Sequence, residues 1–105
     1  MATPAQVGAA GDRLVTSDLR RKGYRVRPHP SASGYSPLEA QAHPARLVVQ
    51  VKAAEYPEEP PYLSRVEEAT IKAIASEMNA EAWEARVQVD DRLRLTRSIG
   101  WRKLK

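Results

Sequence analysis

The chain has 105 residues, no cysteine, no phenylalanine and a net charge of +4. That length holds one domain with a single core. The lack of cysteine excludes a disulfide framework and a cysteine-based zinc cluster, and no run reaches the ~18 apolar residues of a membrane span. The start, Met1-Ala-Thr-Pro-Ala-Gln6, lacks the charged and apolar regions of a signal peptide. The expectation is a soluble, intracellular (cytoplasmic) protein with no membrane partner. Arg13, Arg20, Arg21, Lys22, Arg25 and Arg27 crowd the first third, and Arg92, Arg94, Arg97, Arg102, Lys103 and Lys105 crowd the end. Folded together, two basic ends make a polyanion-binding face; left apart, they are solubilising charge.

Residues 5–22 predict a helix, because Val7, Ala10, Leu14, Val15 and Leu19 recur at helical spacing. Arg20-Arg21-Lys22 followed by Gly23 is a stop signal with cations at the negative end of the helix. Asp12 falls at the rim of the apolar arc, and Asp18 nearer its middle, with the neighbouring arginines as candidate partners. Tyr24–Arg27 alternates as a short strand, Pro28–Gly34 is a loop by composition, and 36–40 is a second strand entered from Pro37. Arg46-Leu-Val-Val-Gln-Val-Lys52 is the clearest strand. Its two-residue period puts Gln50 and Lys52 on one face, with Val49 and Val51 on the other.

Glu55–Pro61 is too rich in proline for regular structure. A second helix is expected over 62–79, with Leu63, Val66, Ile71, Ile74 and Met78 on one face and Asn79 at its end. Glu67 lies within the angular range of that apolar face, which points it at a polar site. Trp83, Ala85, Val87 and Val89 alternate with Glu84, Arg86 and Gln88 as a half-buried strand. Asp90-Asp91 turns it, and Leu93 and Leu95 alternate on the return. Residues 97–105 form a basic tail, where Trp101 suits a sheet edge, a base or a dimer interface. His29 and His43 stand apart beside prolines and are expected in solvent. No glycine-rich phosphate loop or nucleophile elbow is present.

Four features together resemble the archaeal Holliday junction resolvases, within the wider PD-(D/E)xK nucleases. Asp12 lies in the first helix, ahead of Gly23-Tyr24. An Arg-Pro-x-x-Ser-x-Ser-Gly loop runs from Arg27 to Gly34. Pro37-Leu38-Glu39 stands where the family has Pro, a spacer and Asp, and Gln50-Val51-Lys52 where it has Glu-x-Lys. The likeness covers nearly the whole chain, 1–105, as a single nuclease-like domain. It implies an α/β, restriction-endonuclease-like (resolvase-like) fold in the order α-β-β-β-α-β-β, a mixed five-stranded sheet flanked by two helices.

The resemblance also implies a site. Glu39, Gln50 through its side-chain carbonyl and Val51 through its backbone carbonyl hold Mg²⁺, for which Mn²⁺ can substitute. Lys52 steadies the attacking water and the phosphate, and Asp12 orients Lys52 or a metal-bound water. Arg13, Arg27, Ser31, Ser33 and Gly34 contact DNA. The implied activity is metal-dependent hydrolysis of phosphodiester bonds in branched DNA, with four-way junctions the sharpest substrate. The implied assembly is a homodimer, since two symmetric cuts need two sites. Gln50 departs from the family's carboxylate and removes one negative charge. The alternative reading is therefore a nuclease-derived DNA-binding module that no longer cuts.

Overall fold

A computed structural model describes residues 1–30 and 37–105 of the chain. The first helix, α1 (Pro4–Arg21), begins where Thr3 caps it. The Thr3 hydroxyl accepts the Gln6 amide, and the Gln6 side chain accepts the Thr3 amide, so two otherwise orphaned donors are satisfied. Pro4 fits the first position because its missing N–H would have had no partner. Gly23, at φ 95°, takes the left-handed turn that ends the helix. Asp18 pairs with Arg21 and Lys22 at 3.0 and 2.8 Å, which accounts for its position near the apolar arc.

The strands are β1 (Arg25–Pro28), β2 (Leu38–Ala42), β3 (Ala45–Glu55), β4 (Glu81–Val89) and β5 (Gly100–Leu104), with α2 (Arg65–Glu77) between β3 and β4. They form one sheet in the spatial order β1-β2-β3-β4-β5. Every neighbouring pair is antiparallel except β3 and β4, which are parallel and need the crossover that α2 provides. Strand alternation then sorts the apolar residues. Leu38, Ala40, Leu47, Val49, Ala85, Val87 and Val89 meet Val7, Val15 and Leu19 of α1 on one face. Val48, Ala82 and Leu104 meet Ile71 and Ala75 of α2, with Leu63, on the other. Gly11 sets how closely α1 approaches: a Cβ there would lie 2.8 Å from Ala53 Cβ and 3.2 Å from Val51 Cγ1.

Three expectations are corrected. The second helix starts at Arg65, not 62, because Ser64 caps it together with Glu67, and Val66 is 71% exposed rather than on the inner face. The strand returning beside β4 is Gly100–Leu104, within the stretch read as a basic tail, and not 92–96. The Asp90 carboxylate accepts the amides of Arg92 and Arg94 at 2.8 and 3.0 Å, and Leu93 sits at φ 63°. The leucine alternation is therefore spent in a wound turn, with only a bridge between Val89 and Leu95. Finally, Glu84 and Gln88, on the polar side of a supposedly half-buried strand, are both buried. The 56–63 segment crosses over them: Leu63 N–H binds Glu84, and Gln88 Nε2 binds the Glu58 carbonyl at 2.9 Å.

Candidate active site

Glu39 lies opposite Val48 in the β2–β3 ladder, so its side chain shares the α2 face with Val48, Gln50 and Lys52. Glu39 and Gln50 are diagonal neighbours, a relation that places Cα atoms roughly 7–8 Å apart. The ladder with β2 ends at Leu38–Val49, whereas β3 continues beside β4 to Glu55. Among the described residues, β3 from Gln50 onward is thus paired on one side only. The apolar contact with α2 stops at Val48, and beyond it this face is polar: Gln50 and Lys52 on β3, Glu84 and Arg86 directly opposite them on β4.

The Gln50 Oε1 atom is buried and accepts no hydrogen bond among the described residues. Its Nε2 donates to the Val51 carbonyl at 3.4 Å. Glu39 is engaged on both oxygens: Arg27 Nε donates to Oε1 at 2.8 Å, and His29 Nδ1 lies 2.5 Å from Oε2. Burial pushes the Glu39 carboxyl up, but the contacts with His29 and Arg27 outweigh it and hold the group below the ordinary glutamate range. Glu39 lines a cleft of about 360 Å³ with Arg25, Arg27 and Arg46. Arg25 and Arg27 of the N-terminal third thus gather with Arg46 around the strand that carries Glu39.

Asp12 stands elsewhere. It belongs to α1, on the opposite face of the sheet, and lines a groove of about 510 Å³ with Arg13, Arg20, Pro28 and Leu38. Arg27 lines both this groove and the Glu39 cleft. Burial raises the Asp12 carboxyl above the ordinary aspartate range. Its expected contact with Lys52 is not made: Lys52 Nζ meets Glu67 Oε2 of α2, at 2.5 Å. The sheet, with Val51 and Ala53 against Gly11, lies between.

No family model and no curated protein matches this chain. Among solved structures it is similar to a Holliday junction resolvase from Archaeoglobus fulgidus, an archaeal hyperthermophile. The TM-score is 0.68 with 23% identity, over 92% of this chain and 70% of that one. This chain has the resolvase fold.

On that fold, Glu39, Gln50, Val51 and Lys52 occupy the stretch where β2 ends and β3 runs on, and Asp12 occupies the neighbouring groove. Arg13 and Arg27 are exposed beside it. Ser31, Ser33 and Gly34 lie outside the described residues. The donors available to a cation are all oxygens, the class Mg²⁺ prefers, and the unpartnered Gln50 Oε1 fits such a ligand. Among the described residues no group of three or more acidic or histidine side chains is clustered for metal binding. His29, expected in solvent, is instead drawn to Glu39, because the Arg27–Glu39 register brings it over the end of β2. Glu67 carried a warning in the sequence, as a carboxylate on an apolar face. Nothing marked Glu84 as the buried partner of Arg102.

Proposed function

We propose that this chain is a metal-dependent DNA endonuclease of Holliday junction resolvase type, which hydrolyses phosphodiester bonds in branched DNA. The observation that carries this reading is the grouping of Glu39, Gln50 and Lys52 on one polar face, where β3 loses its β2 neighbour, within the resolvase fold. Glu39, Gln50 Oε1 and the Val51 carbonyl would hold Mg²⁺ or Mn²⁺, which when bound polarises the phosphate and lowers the pKa of a coordinated water.

The chain's own residues supply the rest. The Lys52 ammonium, half-buried beside β3, offsets the negative charge that builds on the phosphate oxygens. Arg25, Arg27 and Arg46 around the cleft attract the backbone of the nucleic acid. Arg13 extends the contact surface into the neighbouring groove, which Asp12 also lines. Ser31, Ser33 and Gly34, which precede β2 in the sequence, are assigned to the phosphate. A four-way junction is the proposed substrate and a homodimer the proposed assembly, one site for each of two symmetric cuts.

A second reading, a DNA-binding module that does not cut, is favoured by one feature. Glu39 already has Arg27 and His29 on its two oxygens, and Gln50 brings no charge to help a cation displace them. One assay separates the two: labelled four-way junction, splayed duplex and linear duplex, with Mg²⁺, with Mn²⁺ and with EDTA. Junction cutting that needs the metal and vanishes in Lys52→Ala, while binding persists, is the result expected. Tight, salt-sensitive binding without cutting by the wild-type chain would sink the enzyme and leave the module. Affinity that does not change with salt would sink both.

A further inference from the structure

Lys52 faces β4, where the Glu84 carboxylate is taken up by Arg102 and the Leu63 amide. Arg86 is directly opposite Lys52 in the parallel ladder, and Gln50, its neighbour on the same face, is neutral. The Lys52 side chain is only 24% exposed. A partly desolvated ammonium next to another cation is costly unless an anion meets it. Glu67 is that anion, with Oε2 at 2.5 Å from Nζ.

Glu67 is itself held from a second direction. Its Oε1 accepts the Ser64 amide at 2.9 Å, and its own amide donates to Ser64 Oγ at 3.1 Å. This reciprocal cap starts α2. The carboxylate therefore cannot swing away from Lys52 without loosening the first turn of the helix. Burial pushes Glu67 up, but the bonds from Lys52 and Ser64 outweigh it, so the group stays anionic through the neutral range.

We propose that Glu67 is a positioning residue for Lys52: the cap of α2 fixes the ammonium over β3 and supplies, from a different element, the negative charge that position 50 lacks. The proposal rests on the endonuclease reading. In this arrangement Gln50 is tolerated because the lysine no longer depends on a carboxylate two residues before it on the same strand.

Three variants test this. Glu67→Gln keeps the cap, because Gln serves at that position as well as Glu, but removes the charge. Ser64→Ala removes the hydroxyl half of the cap but keeps the backbone amide that holds Glu67 Oε1, and so leaves the ion pair. Glu67→Gln combined with Gln50→Glu returns a carboxylate to the same face as Lys52. Each is measured by steady-state cleavage of a four-way junction, by thermal unfolding and by the ¹H–¹⁵N resonance of the Lys52 ammonium.

In Glu67→Gln, kcat is expected to fall about 10²-fold, as for a misplaced catalytic group. KM stays near wild type, Tm falls because the partly buried ammonium loses its anion, and the Lys52 ammonium resonance disappears. The double variant regains most of kcat. Ser64→Ala lowers Tm and leaves kcat unchanged. Wild-type kcat in Glu67→Gln overturns the proposal, and so does a kcat loss in Ser64→Ala equal to that in Glu67→Gln. If the wild-type chain cuts no DNA, the endonuclease reading falls and the resonance decides the positioning alone. Its persistence in Glu67→Gln overturns the proposal, and its loss there supports it.

Discussion

Replacing Glu84 by Ala should destabilise the fold by about 3 kcal/mol. Glu84 is fully buried on β4, and its carboxylate takes three donors. Arg102 approaches through Nε and Nη2, each at 3.0 Å, and the Leu63 amide at 2.7 Å. Removing the carboxylate leaves the Leu63 N–H buried without an acceptor, worth about 1–3 kcal/mol, and forfeits charged hydrogen bonds of about 1.5–3 kcal/mol. The second figure is discounted, because the Arg102 side chain is 41% exposed and can rehydrate. The total sits at the lower end of the ~3–5 kcal/mol seen when one partner of a buried pair is deleted. For a domain of this size that lowers Tm by roughly 10–20 °C.

The measurement is equilibrium unfolding in urea, followed by far-ultraviolet circular dichroism. A loss below about 1 kcal/mol, within the range of an ordinary hydrogen bond, would refute the claim that this pair anchors the 56–63 segment to the sheet. The pH dependence adds an independent check. Burial pushes Glu84 up, but the bonds from Arg102 and Leu63 outweigh it and hold the carboxyl below its ordinary value of 4.5. The folded state thus binds this proton less readily than the unfolded chain. Its stabilisation is complete above about pH 4.5 and is lost as pH falls through the lower folded value. Glu84→Gln should make the acid limb of the stability curve shallower.

Gly11→Ala should destabilise by about 1 kcal/mol, since ~1–3 kcal/mol of overpacking against Ala53 exceeds the up to ~1 kcal/mol of helix propensity gained. An unfolding midpoint above wild type would contradict it. Gln50→Glu in the Lys52→Ala background should tighten Mg²⁺ binding by about tenfold, because ligand charge count sets the affinity of such sites. Titration calorimetry reads this directly, and an unchanged isotherm would remove position 50 from the ligand set. His29→Ala should also tighten Mg²⁺ binding, about threefold to tenfold, because it frees one Glu39 oxygen from a hydrogen bond worth ~0.5–1.5 kcal/mol. Weaker binding would make His29 a support of the site and not a competitor.

The sequence by itself determined the element order and the faces of the strands. Periodicity is a local property: the 3.6-residue arc of Val7, Ala10, Val15 and Leu19 and the two-residue arc of Gln50 and Lys52 both survive in the fold. It also marked Glu67 as a carboxylate in the wrong place. It could not locate the last strand, because Leu93 and Leu95 alternate as well as Trp101 and Lys103 do. Only the capture of Arg92 and Arg94 by Asp90 winds the first pair into a turn.

Partners distant in sequence were equally out of reach. Whether Lys52 meets Asp12 or Glu67 depends on which helix covers which face of β3, and that is decided by α1 closing on Gly11 and α2 crossing on the other side. The same holds for His29 on Glu39 and Arg102 on Glu84, each joined by register between strands and not by spacing along one of them. Local pattern sets which side a residue faces. Only the packing of elements against one another decides what it meets there.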